Sequence, residues 1–167
     1  MPEKNTLERA AQDKREGKAA TTQAGEFVRE EIAHIREGKH GARSAKQAIA
    51  IGLSKARRAG VDLPPPKKGT ASDETRTKAE RDYKAGKKGT KRISAKRSRA
   101  VKSALEREPR VAASKQALAQ QAKSAARRRS AAERSAAARK AVNTKGAMKR
   151  STAAKKASST RARKKAR

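Results

Sequence analysis

Residues 25–66 read GEFVREEIAHIREGKHGARSAKQAIAIGLSKARRAGVDLPPP, and this stretch decides the fold. It is the only part of the chain in which large apolar side chains recur often enough to pack against one another. The apolar residues of its first part are Phe27, Val28, Ile32 and Ile35. Three of them fall along one stripe of a helix, and Gly38 follows where a left-handed cap would end that helix.

A second helix is predicted after this glycine. Ser44 stands three residues before Gln47, as in a helix-capping box, and an apolar face follows. Gly60 supplies the stop, and Pro64–Pro66 prevent any continuation. Residues 24–66 are therefore predicted to form an antiparallel helical hairpin. Its predicted core consists of Phe27, Val28, Ile32, Ile35, Ile49 and Leu53.

The predicted hairpin is too small to be stable alone. Its few large apolar side chains contribute at most roughly 1.5 to 3 kcal/mol each. The sum of these contributions is smaller than the free-energy cost of the entropy lost when the segment is ordered. It therefore needs an extra helix, a second copy of itself or a bound partner. The last two alternatives predict that the hairpin forms a homo-oligomer or binds a protein partner.

The composition excludes a large globular core. Of 167 residues, 38% are charged and 1% are aromatic, and the net charge is +31. Residues 1–66 hold 13 basic and 9 acidic side chains, whereas residues 67–167 hold 34 and 7. Cysteine is absent, which excludes disulfides and thiolate metal sites. The longest apolar run, residues 48–53, is too short for a membrane segment or a secretory signal, so no membrane partner is expected.

The fold class expected from these patterns is all-α: a small helical hairpin followed by Ala/Lys/Arg-rich helices and a largely disordered basic tail. Asn5 is a candidate cap for a first helix that ends at Gly17, and the segment between Ala19 and Gly25 reads as linker. The predicted divisions are an N-terminal helical arm and linker at 1–23, the hairpin at 24–66, a flexible basic linker with a short helix at 67–92, Ala/Arg-rich helices at 93–142 and the disordered basic tail at 143–167.

No residue pattern in the sequence predicts catalysis, a cofactor or a metal. His34 and His40 are the only histidines, and a histidine on a charged helix is more often a surface residue than a ligand. Glu30, Glu31 and Glu37 fit a solvated face that pairs with lysine and arginine rather than an acid and base pair. No catalytic residue, metal ligand or cofactor is therefore assigned, and an enzyme is not expected.

Nucleic acid is the predicted partner. Residues 109–167 carry 19 basic side chains against Glu133 as the only acid. If about ten of them met phosphates, the logarithmic salt slope on duplex DNA would be about −9. Stacking aromatics are missing, which favours double-stranded DNA over RNA or single strands. The predicted contacts are Lys87, Lys88, Lys91, Arg92, Lys96, Arg97, Arg99, Lys102, Arg127, Arg128, Arg129, Arg134, Arg139, Lys140, Lys149, Arg150, Lys155, Lys156, Arg161, Arg163, Lys164, Lys165 and Arg167.

Two stretches resemble known proteins. The end of the chain, STAAKKASSTRARKKAR at 151–167, resembles the tails of linker histones and the lysine- and alanine-rich histone-like proteins of bacteria. Residues 38–61, GKHGARSAKQAIAIGLSKARRAGV, resemble a family of small, basic, uncharacterised bacterial proteins that share a KQAIAIGLS core. The first resemblance implies DNA compaction, and the second implies no established activity.

The function expected from the sequence is that of a bacterial histone-like protein. It would bind DNA without sequence specificity, neutralise and compact it through the polycationic C-terminal region, and be cytoplasmic and nucleoid-associated. Two alternatives remain open at this point. One is a basic protein associated with RNA or the ribosome, and the other is a protein-interaction module whose tail localises it to nucleic acid.

Overall fold

All regular secondary structure in the described chain is helical. A computed structural model describes residues 2–89 and 94–165, and among these it describes the side chains of all but 144, 145, 147–150, 164 and 165. The α-helices are α1 (Lys4–Arg15), α2 (Ala20–Glu37), α3 (Ala45–Arg58), α4 (Asp73–Lys87), α5 (Ala95–Glu106), α6 (Lys115–Arg127) and α7 (Ala131–Lys165), and a 3₁₀ turn spans Arg110–Ala113. No β-strand occurs in the two described ranges, so the all-α prediction is confirmed.

The predicted hairpin is formed by α2 and α3, and α2 ends and α3 begins where the sequence predicts. Gly38 ends α2 in a left-handed conformation with φ 80°. Ser44 Oγ accepts a hydrogen bond from Gln47 N at 3.2 Å, and Gln47 Oε1 accepts one from Arg43 N at 2.8 Å. The first bond satisfies a backbone donor that the first turn of α3 leaves unpaired, and the second ties the residue before the cap to the same turn.

Two local predictions near the start of the chain are wrong. The stretch predicted as linker is helical, since α2 already begins at Ala20. The residue before the first turn of α1 is Glu3 rather than Asn5. Ala24 explains the longer α2, because it is fully buried and its packing outweighs the weak helix propensity of the neighbouring threonines and glycine.

The core consists mainly of small side chains in two clusters. The first contains Ala10, Ala24, Phe27, Ala56, Val61 and Leu63. The second contains Ile35, Ala42, Ala48, Ala112 and Ala113. Phe27 and Ile35 are buried as predicted, whereas the other four predicted core residues, Val28, Ile32, Ile49 and Leu53, are only partly buried.

Additional helices pack against the hairpin. An extra helix was one of the three ways in which a hairpin with so small a core was predicted to be stabilised. Helix α1 packs on α2, and α4 packs on α3. The segment around the 3₁₀ turn attaches to the α2–α3 connection through the backbone: Gly41 N donates to Leu105 O at 2.8 Å, and Ala42 N donates to Pro109 O at 3.1 Å. Arg36 Nε adds a bond to Ala113 O at 2.9 Å.

The chain divides into two compact units, Met1–Gln121 and Ala122–Arg167. In the second unit, α7 bends at Gly146, whose φ of 63° and ψ of 162° suit glycine and strain other residues. The structure places residues 143–165 in α7, and the expected disorder of this tail stays a prediction.

Candidate nucleic-acid interface

In the first unit, the predicted contact residues lie on two exposed elements. Lys87 and Lys88 lie at the end of α4, and Lys96, Arg97, Arg99 and Lys102 lie on α5. Helix α5 has no buried residue. Lys96, Arg99 and Lys102 recur every three residues, so they form a row on one face of the helix. Lys91 and Arg92 lie outside the described residues.

Lys87, one of the predicted contact residues, has well-defined surroundings. Its Nζ lies 4.5 Å from the centroid of the Tyr83 ring and 3.9 Å from Asp62 Oδ1. The interaction with Tyr83, followed by the attraction of Asp62, raises the pKa of Lys87 above its ordinary value. The side chain is therefore a permanent cation at neutral pH, partly held by its neighbours.

In the second unit, the predicted contact residues follow the end of α6 and the length of α7. Arg128 and Arg129 come directly after α6, in which Arg127 is the last residue, and Arg134 Nη1 donates to Arg129 O at 2.7 Å. The exposed cations of α7 are Arg134, Arg139, Lys140, Lys155, Lys156, Arg161 and Arg163. Lys149, Arg150, Lys164 and Lys165 belong to α7 but their side chains lie outside the description, as does all of Arg167.

Helix α7 presents charge without a buried face. From residue 122 onward, every residue whose exposure is described is exposed. Arg134, Arg139 and Lys140 point to different sides of the helix, because successive residues are rotated by about 100°. This unit carries 17 basic side chains against Glu133 alone. Such a charge density destabilises the helix in water and is relieved by a polyanion.

Ion pairs to glutamates that are largely buried connect α2 to α1 and α3. Glu26 Oε2 lies 2.7 Å from Arg9 Nε and 3.1 Å from Arg29 Nη1. Lys55 Nζ lies 3.4 Å from Glu30 Oε1 and 2.6 Å from Glu31 Oε2. Part of the basic charge of the first 66 residues is therefore neutralised internally.

The interpretation of Glu30 and Glu31 as a solvated face is wrong. The two residues are 4% and 1% exposed, because α1 and α3 cover this side of α2. The third glutamate of the pattern, Glu37, remains exposed as expected. The sequence offered no signal for this difference, since α1 contributes a single large apolar residue, Leu7.

A buried guanidinium secures the exit from α3. Arg57 donates from Nε to Leu63 O at 3.1 Å and from Nη2 to Pro64 O at 3.4 Å. Burial lowers the pKa of Arg57, and the negative charge of Asp82 partly compensates. These bonds fold the start of the proline triplet back onto the helix that precedes it.

A partly apolar groove of about 530 Å³ runs along α2 and reaches α6. Its lining residues are Gly25, Val28, Arg29, Ile32, Ala33, Arg36, Glu37 and Leu118. Leu118 was not among the predicted core residues, because it is distant in sequence from the hairpin. The groove explains why Val28 and Ile32 are only partly buried.

Fold and charge define the class as a strongly basic, all-α protein. Among the described residues, no helix has the length and apolarity needed to cross a bilayer. Residues 14–68 match a family of unknown function (DUF6496), a region that includes α2, α3 and the proline triplet. No curated protein and no solved structure gives a significant match to the chain.

Proposed function

We propose that this protein binds double-stranded DNA without sequence preference, and that it neutralises and compacts the duplex as a cytoplasmic, nucleoid-associated, histone-like protein. The observation that supports this proposal best is the exposure and the positive charge of residues 122–163. Every described residue there is exposed, and the unit to which they belong has 17 cations and one acid. A helix with no side chain to bury and charge on all sides is suited to a polyanion rather than to an apolar partner surface.

Phosphate neutralisation supplies the binding energy. Each cation that meets a phosphate releases condensed counterions, which gives tight binding at low salt and a steep loss of affinity as salt rises. A helix about 10 to 12 Å across also fits the major groove of B-DNA, which is about 12 Å wide. The cations on different sides of α7 favour no single docking orientation, which agrees with binding that ignores sequence.

Duplex DNA is favoured over unpaired strands because stacking side chains are scarce. The chain has one phenylalanine and one tyrosine. Phe27 is buried in the hairpin core, and Tyr83 donates a hydrogen bond to Asp62. Proteins that hold single strands stack bases on exposed aromatic rings, and neither ring is free for this role.

Compaction follows from having two cationic regions on one chain. Lys96, Arg99 and Lys102 form a row in the first unit, and the cations of the second lie at the end of α6, directly after it and along α7. When one region is bound, the other is held at a high effective concentration near DNA. It can engage the same duplex further along or a second duplex, and the second case draws duplexes together.

The test is a gel-shift titration of the full chain over a salt series, on random-sequence duplex DNA and on a structured RNA of equal charge. We expect low-salt binding to DNA that is independent of its sequence and a salt slope near −9 if about ten phosphates are engaged. A clear preference for the RNA would replace this proposal with a role in RNA or ribosome association. Failure to bind DNA at low salt, or binding that salt leaves unchanged, would exclude it.

A shortened chain tests which unit is responsible. A variant that ends at Gln121 keeps the first unit and loses the 17 cations that follow. We expect its DNA affinity to fall strongly and its compaction of DNA, seen by light scattering, to disappear. Undiminished compaction by this variant would move the function to the hairpin and its packed helices, as in a protein-interaction module.

A further inference from the structure

Three side chains with metal-binding chemistry converge near the connection between α2 and α3. Glu31, His34 and His40 each place one ligand atom within 4.8 Å of the other two. The Glu31 side chain is 1% exposed, and the two histidine side chains are 13% and 12% exposed. Both histidines of the chain belong to this cluster, although the sequence indicates ordinary surface residues.

Hydrogen bonds leave one ring nitrogen of each histidine available. His40 Nδ1 lies 3.0 Å from Gly41 O, and a carbonyl can only accept, so this nitrogen carries the hydrogen. The lone pair of neutral His40 is then on Nε2, which lies 3.2 Å from Glu31 Oε1. In the same way, His34 Nε2 lies 2.7 Å from Glu3 Oε1 and donates to that carboxylate, which leaves the lone pair on Nδ1.

These outer contacts are of the kind that orient metal ligands. A histidine that binds a metal usually donates its second ring nitrogen to a carboxylate or a backbone carbonyl, which fixes the tautomer and the ring orientation. Here Glu3 and the carbonyl of Gly41 occupy these two positions. Glu3 is itself held in place, because Lys39 Nζ lies 3.1 Å from the same Oε1.

The carboxylate of Glu31 is buried and incompletely satisfied. Both of its oxygens are inaccessible and have no hydrogen-bond partner of good geometry. Lys55 Nζ approaches Oε2 at 2.6 Å as an ion pair, whereas Oε1 faces His40. An unsatisfied buried carboxylate is costly. A cation on the Oε1 side would satisfy it, and Lys55 could remain on Oε2.

We propose that Glu31, His34 and His40 bind one divalent transition metal ion, and that zinc fits best. Two imidazoles and a carboxylate are an established zinc ligand set, with a fourth position left for water. Magnesium and calcium are disfavoured because they prefer oxygen ligands only. The ion would tie α2 to the α2–α3 connection. This inference is independent of DNA binding, since none of the three side chains belongs to the cationic regions.

The test uses the untagged full chain, stripped with a chelator and freed of nucleic acid, in a calorimetric titration with zinc chloride. Because both histidines lie in the cluster and cysteine is absent, a binding signal can be assigned without ambiguity. We expect one equivalent of zinc and a rise in melting temperature. Cobalt(II) at the same site should give the visible absorption bands of a low-symmetry, four-coordinate ion.

Variants identify the ligands. His34→Ala and His40→Ala should each weaken zinc binding by more than about 100-fold, because loss of an outer partner alone costs roughly 10- to 100-fold. Glu3→Gln should weaken it by roughly 10-fold through the orientation of His34. Glu37→Gln, on the exposed part of α2, is the matched control and should bind like the original chain.

Circular dichroism at 222 nm shows whether each variant is folded. If an alanine variant loses helicity, His34→Gln and His40→Gln replace it, because glutamine keeps the size and polarity of the side chain. The proposal is overturned if the full chain takes up no stoichiometric zinc. It is also overturned if folded variants at both histidines bind zinc as tightly as the original chain.

Discussion

Gly52 in α3 lies directly against the backbone of Val28 in α2. A Cβ atom added at Gly52 would lie 2.7 Å from Val28 Cα and 2.9 Å from Val28 N, closer than real Cβ atoms come to such neighbours. The two helices therefore meet backbone to backbone at this point. A glycine is required here for close approach rather than for an unusual backbone conformation.

Gly52→Ala should destabilise the protein by up to about 2 kcal/mol. Overpacking costs about 1 to 3 kcal/mol, which outweighs the gain of about 1 kcal/mol that alanine brings to a helix interior. Gly25→Ala is the matched control, because Gly25 is inside α2 with no atom within 4 Å of its added Cβ. Urea denaturation should show a loss of stability for the first variant and a gain for the second. A gain for both would mean that the helices are further apart.

Lys55→Met should destabilise the protein by about 3 kcal/mol. Removing one partner of a buried ion pair costs about 3 to 5 kcal/mol, and the lower value applies because the Lys55 side chain is 24% exposed. The loss arises because Glu30 and Glu31 are left buried without their shared ammonium group. Lys46→Met, at an exposed position on the same helix, should change stability by less than about 0.5 kcal/mol. Equal effects of the two changes in thermal unfolding would contradict the buried pair.

Ser44→Ala should cost about 1 kcal/mol through the loss of a helix cap, since its hydroxyl oxygen accepts the hydrogen bond from Gln47 N. The control is Ser94→Ala at the start of α5, where the serine side chain makes no capping bond. That change should leave the free energy of unfolding nearly unaltered. Chemical denaturation of both variants compares the two positions, and a Ser94 effect as large as that of Ser44 would show that capping is not the cause.

Replacing Arg127, Arg128 and Arg129 with glutamine should lower the magnitude of the DNA salt slope by about 2.7. Each lost phosphate contact removes about 0.9 from the slope on duplex DNA. Lys4, Lys14 and Arg15 of α1, all exposed, provide a control triple with the same change in charge. Fluorescence anisotropy over a salt series should give nearly the original slope for this control. Identical slopes for the two triples would show that these arginines do not contact phosphates.

The helix content of the chain should rise when DNA is added. Repulsion among the cations of α7 opposes the helix in water, and phosphates remove that penalty. Circular dichroism at 222 nm should become more negative up to saturation with duplex DNA. The same phosphate concentration supplied as mononucleotides serves as the control and should have little effect, because a single phosphate does not span several cations. An unchanged signal at saturation would mean that helix formation does not depend on DNA.

The parts of the fold that could be predicted from the sequence are those with local signals. Gly38 and Ser44 each act within one turn of the chain, so the end of α2 and the start of α3 follow from neighbouring residues. Helix α4 lies within 67–92, and α5 and α6 lie within 93–142, two segments in which the sequence predicts helices. The exposure of most basic side chains was also predictable, since a chain so poor in large apolar side chains can bury few of them, and Arg57 is an exception.

Contacts between distant segments could not be predicted. Ala112 and Ala113 are both buried, but an alanine pair within an alanine-rich sequence does not indicate which residues it will contact. The cluster of Glu31 with His34 and His40 depends on how the chain turns after Gly38, and its outer partner Glu3 is 31 residues from His34. Hydrophobic periodicity does not reveal such contacts, because the side chains are small and the residues lie far apart in the sequence.

The exposure of the described residues after Gln121 has a consequence for how this protein can vary. A segment that buries no described side chain has no neighbours to fit, so its residues can be reordered, duplicated or deleted with little penalty as long as enough positive charge remains. Positions such as Gly52 and Lys55 do not tolerate substitution in this way, because their side chains or backbone fit close neighbours. Among related chains, we expect the helical hairpin to keep its sequence and spacing, while the cationic end differs in length and is recognisable only by what it is made of.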